Sequence, residues 1–410
     1  MVQLLAGSII RLWILGQDRF WGLHSTMATF SQKVSLLRGL LTGDQAYAGP
    51  FYVTIDLTRR CNLKCLGCRY HSSLVNIPAP GDQAVLDIPF HLVGKLCDEL
   101  AAMRTKSITL MGDGEPMLYP RLNDLISKCK TLGFHVTLIT NGTLLDEASI
   151  HSLITSQLDL LKVSLWATSI EEYEKNYPGT SPEYFKKVVN GLKLLSMFKG
   201  EKKSKLPSVT LHQPINQHNF KKIIAMVDLA HQTGCHTISL SPLLSHRGEL
   251  ARYALSPEEE KSLSLSLLRI KKRLNSLGMK DNIDETLLRY RIGEAVWNKF
   301  PCYIGWLHAH IKTDGTVLPC SPWNKPLGHL EEGRFEKIWN GSGYSAFRRK
   351  THTRDGLASI TKECDCGFCC LVRDNIRVHR LFRFLTPFLN RSKKEPDQGA
   401  MKGYDYGKSL

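Results

Sequence analysis

Cys61, Cys65 and Cys68 stand at gaps of three and two residues in one short stretch, Cys61-Asn-Leu-Lys-Cys65-Leu-Gly-Cys68. Three thiolates from a single loop can hold three irons of a [4Fe–4S] cluster and leave the fourth iron open to another ligand. A structural zinc would ordinarily want a fourth protein ligand. A second group, Cys302, Cys320, Cys364, Cys366, Cys369 and Cys370, lies towards the other end of the chain. Thiols so closely spaced cannot easily bridge one another but can converge on a metal or cluster in a reducing compartment. Zinc would satisfy the second group as well. Cys97, Cys129 and Cys235 are scattered singly and read as small buried hydrophobes.

These thiols need a scaffold, and the pattern around them supplies one. Short β-rich runs cover 51–57, 107–111, 135–140, 160–165, 208–212 and 237–241, with helical periodicity between them. Strict alternation predicts a parallel sheet with helices packed outside it, either an open doubly wound sheet or an incomplete barrel. In both, ligand-binding groups gather at the carboxyl ends of the strands. The first cysteine group directly follows the first strand. Beyond Pro257 two helices are predicted, over 257–277 and 284–299. A Gly-rich, cysteine-bearing segment with little regular pattern follows over 301–371.

The motif after the first strand resembles the radical S-adenosylmethionine (SAM) superfamily, whose signature is C-x3-C-x2-C at this place. Met111-Gly112-Asp113-Gly114-Glu115-Pro116, ending the second strand, resembles the family's glycine-glutamate-proline loop, where backbone meets the SAM amino group. The resemblance carries Gly112, Gly114, Glu115, Pro116, Asn141, Ser164 and Asn216 over as cofactor-binding residues. Gln213, Asn219 and Ser241 are weaker carry-overs. Two departures stand out: Gly67 occupies the place of an aromatic that the family sets near adenine, and the fourth strand reads Val-Ser-Leu-Trp-Ala167 where relatives carry an acidic residue. Pro301-Cys302, the C-x12-G-x4-C run through Gly315 to Cys320, and Cys366-Gly-Phe-Cys369 resemble the SPASM auxiliary-cluster domain. That resemblance implies Cys302, Cys320, Cys366 and Cys369 as ligands, with Cys364 and Cys370 as alternates or as ligands of a further cluster. Together the two resemblances imply a partial (β/α)6 barrel over 49–250, a helical connection over 251–300, a SPASM domain over 301–371 and flanking segments 1–48 and 372–410. They also imply two [4Fe–4S] clusters, reductive cleavage of SAM to a 5′-deoxyadenosyl radical, and a flavodoxin- or ferredoxin-type reductant.

Substrate identity is not carried by these motifs. The formal charge of +16, from 54 Lys and Arg against 38 Asp and Glu, favours an anionic partner. The expectation is a small molecule or glycan, such as a nucleotide sugar or lipid-linked glycan. A peptide, an RNA, or a non-catalytic iron–sulfur or zinc scaffold is the alternative. No RNA-binding module is recognisable. About fifty residues precede the first strand, short of the peptide-binding domain common in peptide-modifying relatives. Residues 1–26 are apolar but interrupted by Arg11, Gln17, Asp18 and Arg19, which argues against a signal peptide, and Met27 offers a second start. With no run long enough to span a bilayer, a cytoplasmic protein is expected. Both ends mix basic and aromatic residues in the manner of peripheral membrane helices, or of helices packed on the body. Composition predicts disorder beyond about 390.

Overall fold

Capping chemistry sets where the helices begin. The computed structural model describes residues 29–74, 85–243, 250–293, 300–360, 364 and 369–390, without the side chains of 384–390. Helix α1 (Phe30–Thr42) opens at Thr29, whose hydroxyl accepts the Gln32 amide while the Gln32 side chain accepts the Thr29 amide. This reciprocal cap satisfies two donors that would otherwise be orphaned. There follow β1 (Tyr52–Asp56), α2 (Phe90–Ala102), β2 (Ser107–Met111), α3 (Leu122–Thr131), β3 (His135–Thr140), α4 (Glu147–Thr155) and β4 (Leu160–Ser164). Next come α5 (Ile170–Asn176), α6 (Glu183–Glu201), β5 (Ser208–Ile215), α7 (Ile223–Gln232) and β6 (Thr237–Pro242). Helix α8 (Pro257–Ser276) carries the same reciprocal cap, Ser256 with Glu259, and α9 (Ile283–Ile292) follows it.

Strands β1 to β6 lie side by side in chain order, each parallel to the next. Right-handed crossovers between sequential neighbours put every connecting helix on one face of the sheet. The other face must then curl inward, which gives the partial barrel. Side-chain alternation separates the two faces. Ile108, Leu110, Val136, Leu138, Leu161 and Val163 are completely buried towards the helices, each contributing roughly 1.5–3 kcal/mol of apolar burial. Between them, facing inward, stand Asp56, Thr109, Thr137, Lys162, Ser164, Thr210 and His212. The barrel interior is polar.

The cysteine-rich segment departs from its expectation of little regular structure. Its β7 (His308–Ile311) pairs in parallel with β1, and β8 (Thr316–Leu318) and β9 (Gly328–His329) extend the sheet to nine strands. Strands of two to four residues are too short to show a period. Helices α10 (Phe335–Trp339), α11 (Ser342–Thr351), α12 (Arg354–Ala358) and α13 (Val372–Asn390) complete the fold. The basic-aromatic stretch near the carboxyl end lies in α13, and Ile376, Val378 and Leu381 bury against a second core with Leu36, Leu40 and Trp306. Its described half therefore packs on the body. Among the described residues no helix is long and apolar enough to cross a membrane. The expectations for residues 1–26, for the tail beyond 390 and for Cys366 lie outside the described residues.

Candidate functional site

Strand β1 runs directly into the cysteine loop, and the loop after β2 lies against its start. The Gly114 N–H donates to the Thr58 carbonyl at 2.9 Å and the Glu115 N–H to the Arg60 carbonyl at 2.8 Å. A methyl group at Gly114 would stand 2.1 Å from the Arg60 oxygen, and one at Gly112 2.7 Å from the Thr58 oxygen. Only glycine permits this approach. Glu115 is buried, and its carboxylate accepts from the Thr140 hydroxyl (2.6 Å), the Asn141 N–H (2.7 Å) and the Met117 N–H (2.9 Å). Burial pushes its carboxyl up while these three donors hold it down. The side chain is a strut between the ends of β2 and β3. Asn141 in turn donates to Asn62 at 2.9 Å, tying β3 to the cysteine loop.

Burial favours the neutral form of all three thiols of that loop. Burial pushes Cys61 up to about 11 and also raises Cys65 and Cys68. Cys61 is raised further by Glu115 and Cys68, and Cys65 by Cys68 and Cys61. The Cys68 sulfur accepts from the backbone N–H groups of Tyr70 (3.4 Å) and His71 (3.3 Å). Such a donor set suits iron in a cluster.

The departure at Gly67 has a steric cause. A Cβ at Gly67 would meet Leu243 at 2.6 Å and the Trp166 ring at 3.1 and 3.3 Å. Trp166, from the end of β4, fills the space beside the third cysteine that an aromatic at position 67 would need. Its indole N–H donates to the Ser164 hydroxyl at 2.9 Å, so Ser164 positions the ring. Asn216 is buried, donating to Asn176 at 2.8 Å and accepting the His218 N–H at 2.8 Å. Asn219 donates to the Pro214 and Trp166 carbonyls at 2.9 and 3.3 Å. Ser241 contacts His212 at 3.5 Å. Gln213 is buried with neither side-chain polar atom partnered among the described residues.

A charged network that sequence reasoning missed lies beside the cysteine loop. The Lys312 ammonium, just past β7, donates to Asp56 (2.7 Å), to the Tyr70 hydroxyl (2.9 Å) and to Asp113. His310 Nε2 meets the same Asp56 oxygen at 2.8 Å. His310 and Lys312 hold Asp56 well below the usual carboxylate range, against its burial. Asp113 is pushed up to about 6 by burial and by the neighbouring Asp56. The network joins β1, the loop after β2, the cysteine loop and the cysteine-rich domain.

The second group of cysteines also converges. Cys302, Cys320, Cys364, Cys369 and Cys370 line one cavity, walled by Trp323 and Phe347. Burial raises Cys302 and Cys320, and the other thiols raise them further. Thiols distributed around a cavity suit a multinuclear cluster. A separate cleft of about 400 Å³, between α1, α2 and α10, holds none of the cysteines. Cys97 and Cys129 are buried, their sulfurs 3.6 Å apart, and Cys235 is buried as well.

Comparison with known proteins agrees with both halves. The radical SAM superfamily matches residues 55–200, and an iron–sulfur cluster-binding domain, SPASM, matches residues 302–377. The chain is 25% identical over 329 residues to PqqA peptide cyclase of Xanthomonas campestris, covering 78% of this chain and 82% of that protein. It is 24% identical over 338 residues to AdoMet-dependent heme synthase of Methanosarcina barkeri, covering 78% and 88%. The fold matches Streptococcus suis SuiB bound to precursor peptide SuiA with a TM-score of 0.60 at 15% identity, covering 82% of this chain and 75% of that one.

Proposed function

The chain belongs to the radical SAM superfamily and carries a C-terminal SPASM domain, and from that premise we propose that it modifies a peptide held in the barrel interior between its two cysteine sites. The observation that carries this reading is the pairing of a polar barrel interior with thiol groups set around it, in a chain similar to a peptide cyclase. The enzyme works with SAM, a [4Fe–4S] cluster and an auxiliary iron–sulfur cluster. When bound, the first cluster and SAM supply reductive cleavage of SAM to methionine and 5′-deoxyadenosine, with loss of a hydrogen atom from the substrate.

The chain's own residues have distinct tasks in this reading. Cys61, Cys65 and Cys68 hold the catalytic cluster. The glycines of the 112–116 loop bring backbone to SAM, Glu115 fixes that backbone, and Asn141 braces the cysteine loop against β3. Trp166, set by Ser164, excludes water beside Cys68 and takes the adenine side. Asn216 keeps the turn after β5 in place behind Trp166. Cys302, Cys320 and Cys369 hold the auxiliary cluster, with Cys366 or Cys364 as fourth ligand. A flavodoxin- or ferredoxin-type protein in a reducing compartment supplies the electron.

The peptide reading replaces a nucleotide sugar or lipid-linked glycan as first choice because the peptide cyclase matches across both domains. Similarity to the AdoMet-dependent heme synthase favours a small molecule as the second reading. The test is substrate-stimulated turnover. Reconstituted, reduced enzyme is given SAM with a pool of synthetic peptides, with a panel of nucleotide sugars, or with porphyrins. Several turnovers of 5′-deoxyadenosine and a mass change confined to a peptide are expected. Turnover with the sugars or porphyrins alone would overturn the reading.

A further inference from the structure

Lys162 stands in the middle of β4, on the inward face between the core residues Leu161 and Val163. Its register neighbour on β5 is Thr210, and one step along that face is His212, which meets Ser239 of β6 at 3.2 Å. Helix α9 closes this region from beyond β6, where the Thr286 hydroxyl donates to the Leu240 carbonyl at 2.9 Å. One turn further along α9, Arg289 is buried and close enough to interact with both Lys162 and His212. Lys162 thus lies on the hydroxyl-bearing inward face of the sheet, with Arg289 within electrostatic reach.

Among the described residues nothing neutralises Lys162 fully. Among the described residues its ammonium has no hydrogen bond and no ion pair. The carboxylate that reaches it electrostatically is Glu285, which is already paired with Arg373 at 3.5 Å. Burial, with Arg289 adding to it, pushes the Lys162 amine down to about 8 despite Glu285. His212 is held neutral, well below its ordinary value, by burial and by the same two cations. A lysine kept in a polar interior without a counter-ion is costly unless a ligand completes it. The Cys370 thiol of the second cysteine group is within electrostatic reach of both Lys162 and Arg289.

We infer that Lys162, with Arg289 and the Ser239 and Thr210 hydroxyls, forms an anion-binding chamber inside the barrel that holds an oxyanion group of the substrate, next to the auxiliary cysteines. This rests on the reading that substrate enters the barrel interior, and it adds the chemistry recognised there. For a peptide, the group is a carboxylate from an acidic side chain or the C-terminus.

The test uses the anaerobically reconstituted full chain, with glutarate and inorganic phosphate as probes, so it does not depend on knowing the peptide. Lysine labelling, mapped by mass spectrometry, should mark Lys162 in the free protein, and saturating anion should slow it at least fivefold. Calorimetry should show binding weakened at least tenfold in Lys162→Met and largely kept in Lys162→Arg. Preference for glutarate identifies a carboxylate, and preference for phosphate a phosphoryl group, which would support the chamber while counting against the peptide. Unchanged Lys162 labelling, or anion binding that persists in Lys162→Met, would overturn the inference. The labelling arm uses wild type, so it decides the matter even where a variant folds poorly.

Discussion

Cys65→Ala is expected to strip about four irons per chain from the reconstituted enzyme and to lower 5′-deoxyadenosine formation by roughly 10³-fold or more. Cys65 is the middle thiol of the loop, raised by burial and by both Cys68 and Cys61, so two remaining thiolates cannot hold a cube that three were placed to hold. The paired control is Cys320→Ala, in the other cavity. It should lose a similar amount of iron yet keep SAM cleavage, because the 61–68 loop and the 112–116 loop are untouched. Iron analysis and nucleoside chromatography on both variants read the result. Equal loss of SAM cleavage in the two would contradict the assignment of separate tasks to the two cysteine sites.

Lys312→Met is expected to destabilise the fold by about 3–5 kcal/mol, because removing one partner of a buried ionic network strands the others. The Asp56 and Asp113 side chains are 1% and 5% exposed and Lys312 is 13% exposed, so solvent screens little of this. The loss has a pH signature. Burial opposes the Lys312 charge, but Asp56 and Asp113 outweigh it and raise the amine. Its contribution is therefore complete below the ordinary lysine value of about 10.4. Asp113 at about 6 already holds its proton more tightly than an ordinary carboxyl, and without Lys312 it would hold it more tightly still. A raised carboxyl lowers stability as pH climbs from its unfolded value, about 3.9, through its folded value. The gap between variant and wild type should consequently widen from pH 5 to pH 8, measured by denaturant midpoints. An equal gap at both would contradict the network's role, and Lys312→Arg should recover part of the loss.

The parts of the site written in local sequence were legible, and the parts made by long-range register were not. The 61–68 and 112–116 loops announce themselves because thiol spacing and glycine placement are needed within a few residues. The parallel sheet was legible from alternation of strand and helix over long runs. Lys312 and Asp56 are 256 positions apart and meet only because β7 lies beside β1; no period in either segment signals that pairing. Residues 308–318 gave strands too short to register. Gly67 read as a departure without a cause until the fold placed the Trp166 ring against it. Lys162 carried a usable signal that went unread. Between Leu161 and Val163, a lysine on the face away from the helices implies a polar interior.

We propose that this chain cleaves SAM by radical chemistry at the loop after β1. The most direct test is the anaerobically reconstituted wild-type protein, reduced with dithionite and supplied with SAM. Expected are 5′-deoxyadenosine and methionine in equal amounts, appearing only when iron, reductant and SAM are all present. Fully iron-loaded protein that forms neither product, with stronger reductants tried as well, would contradict the claim and leave an iron–sulfur scaffold in its place.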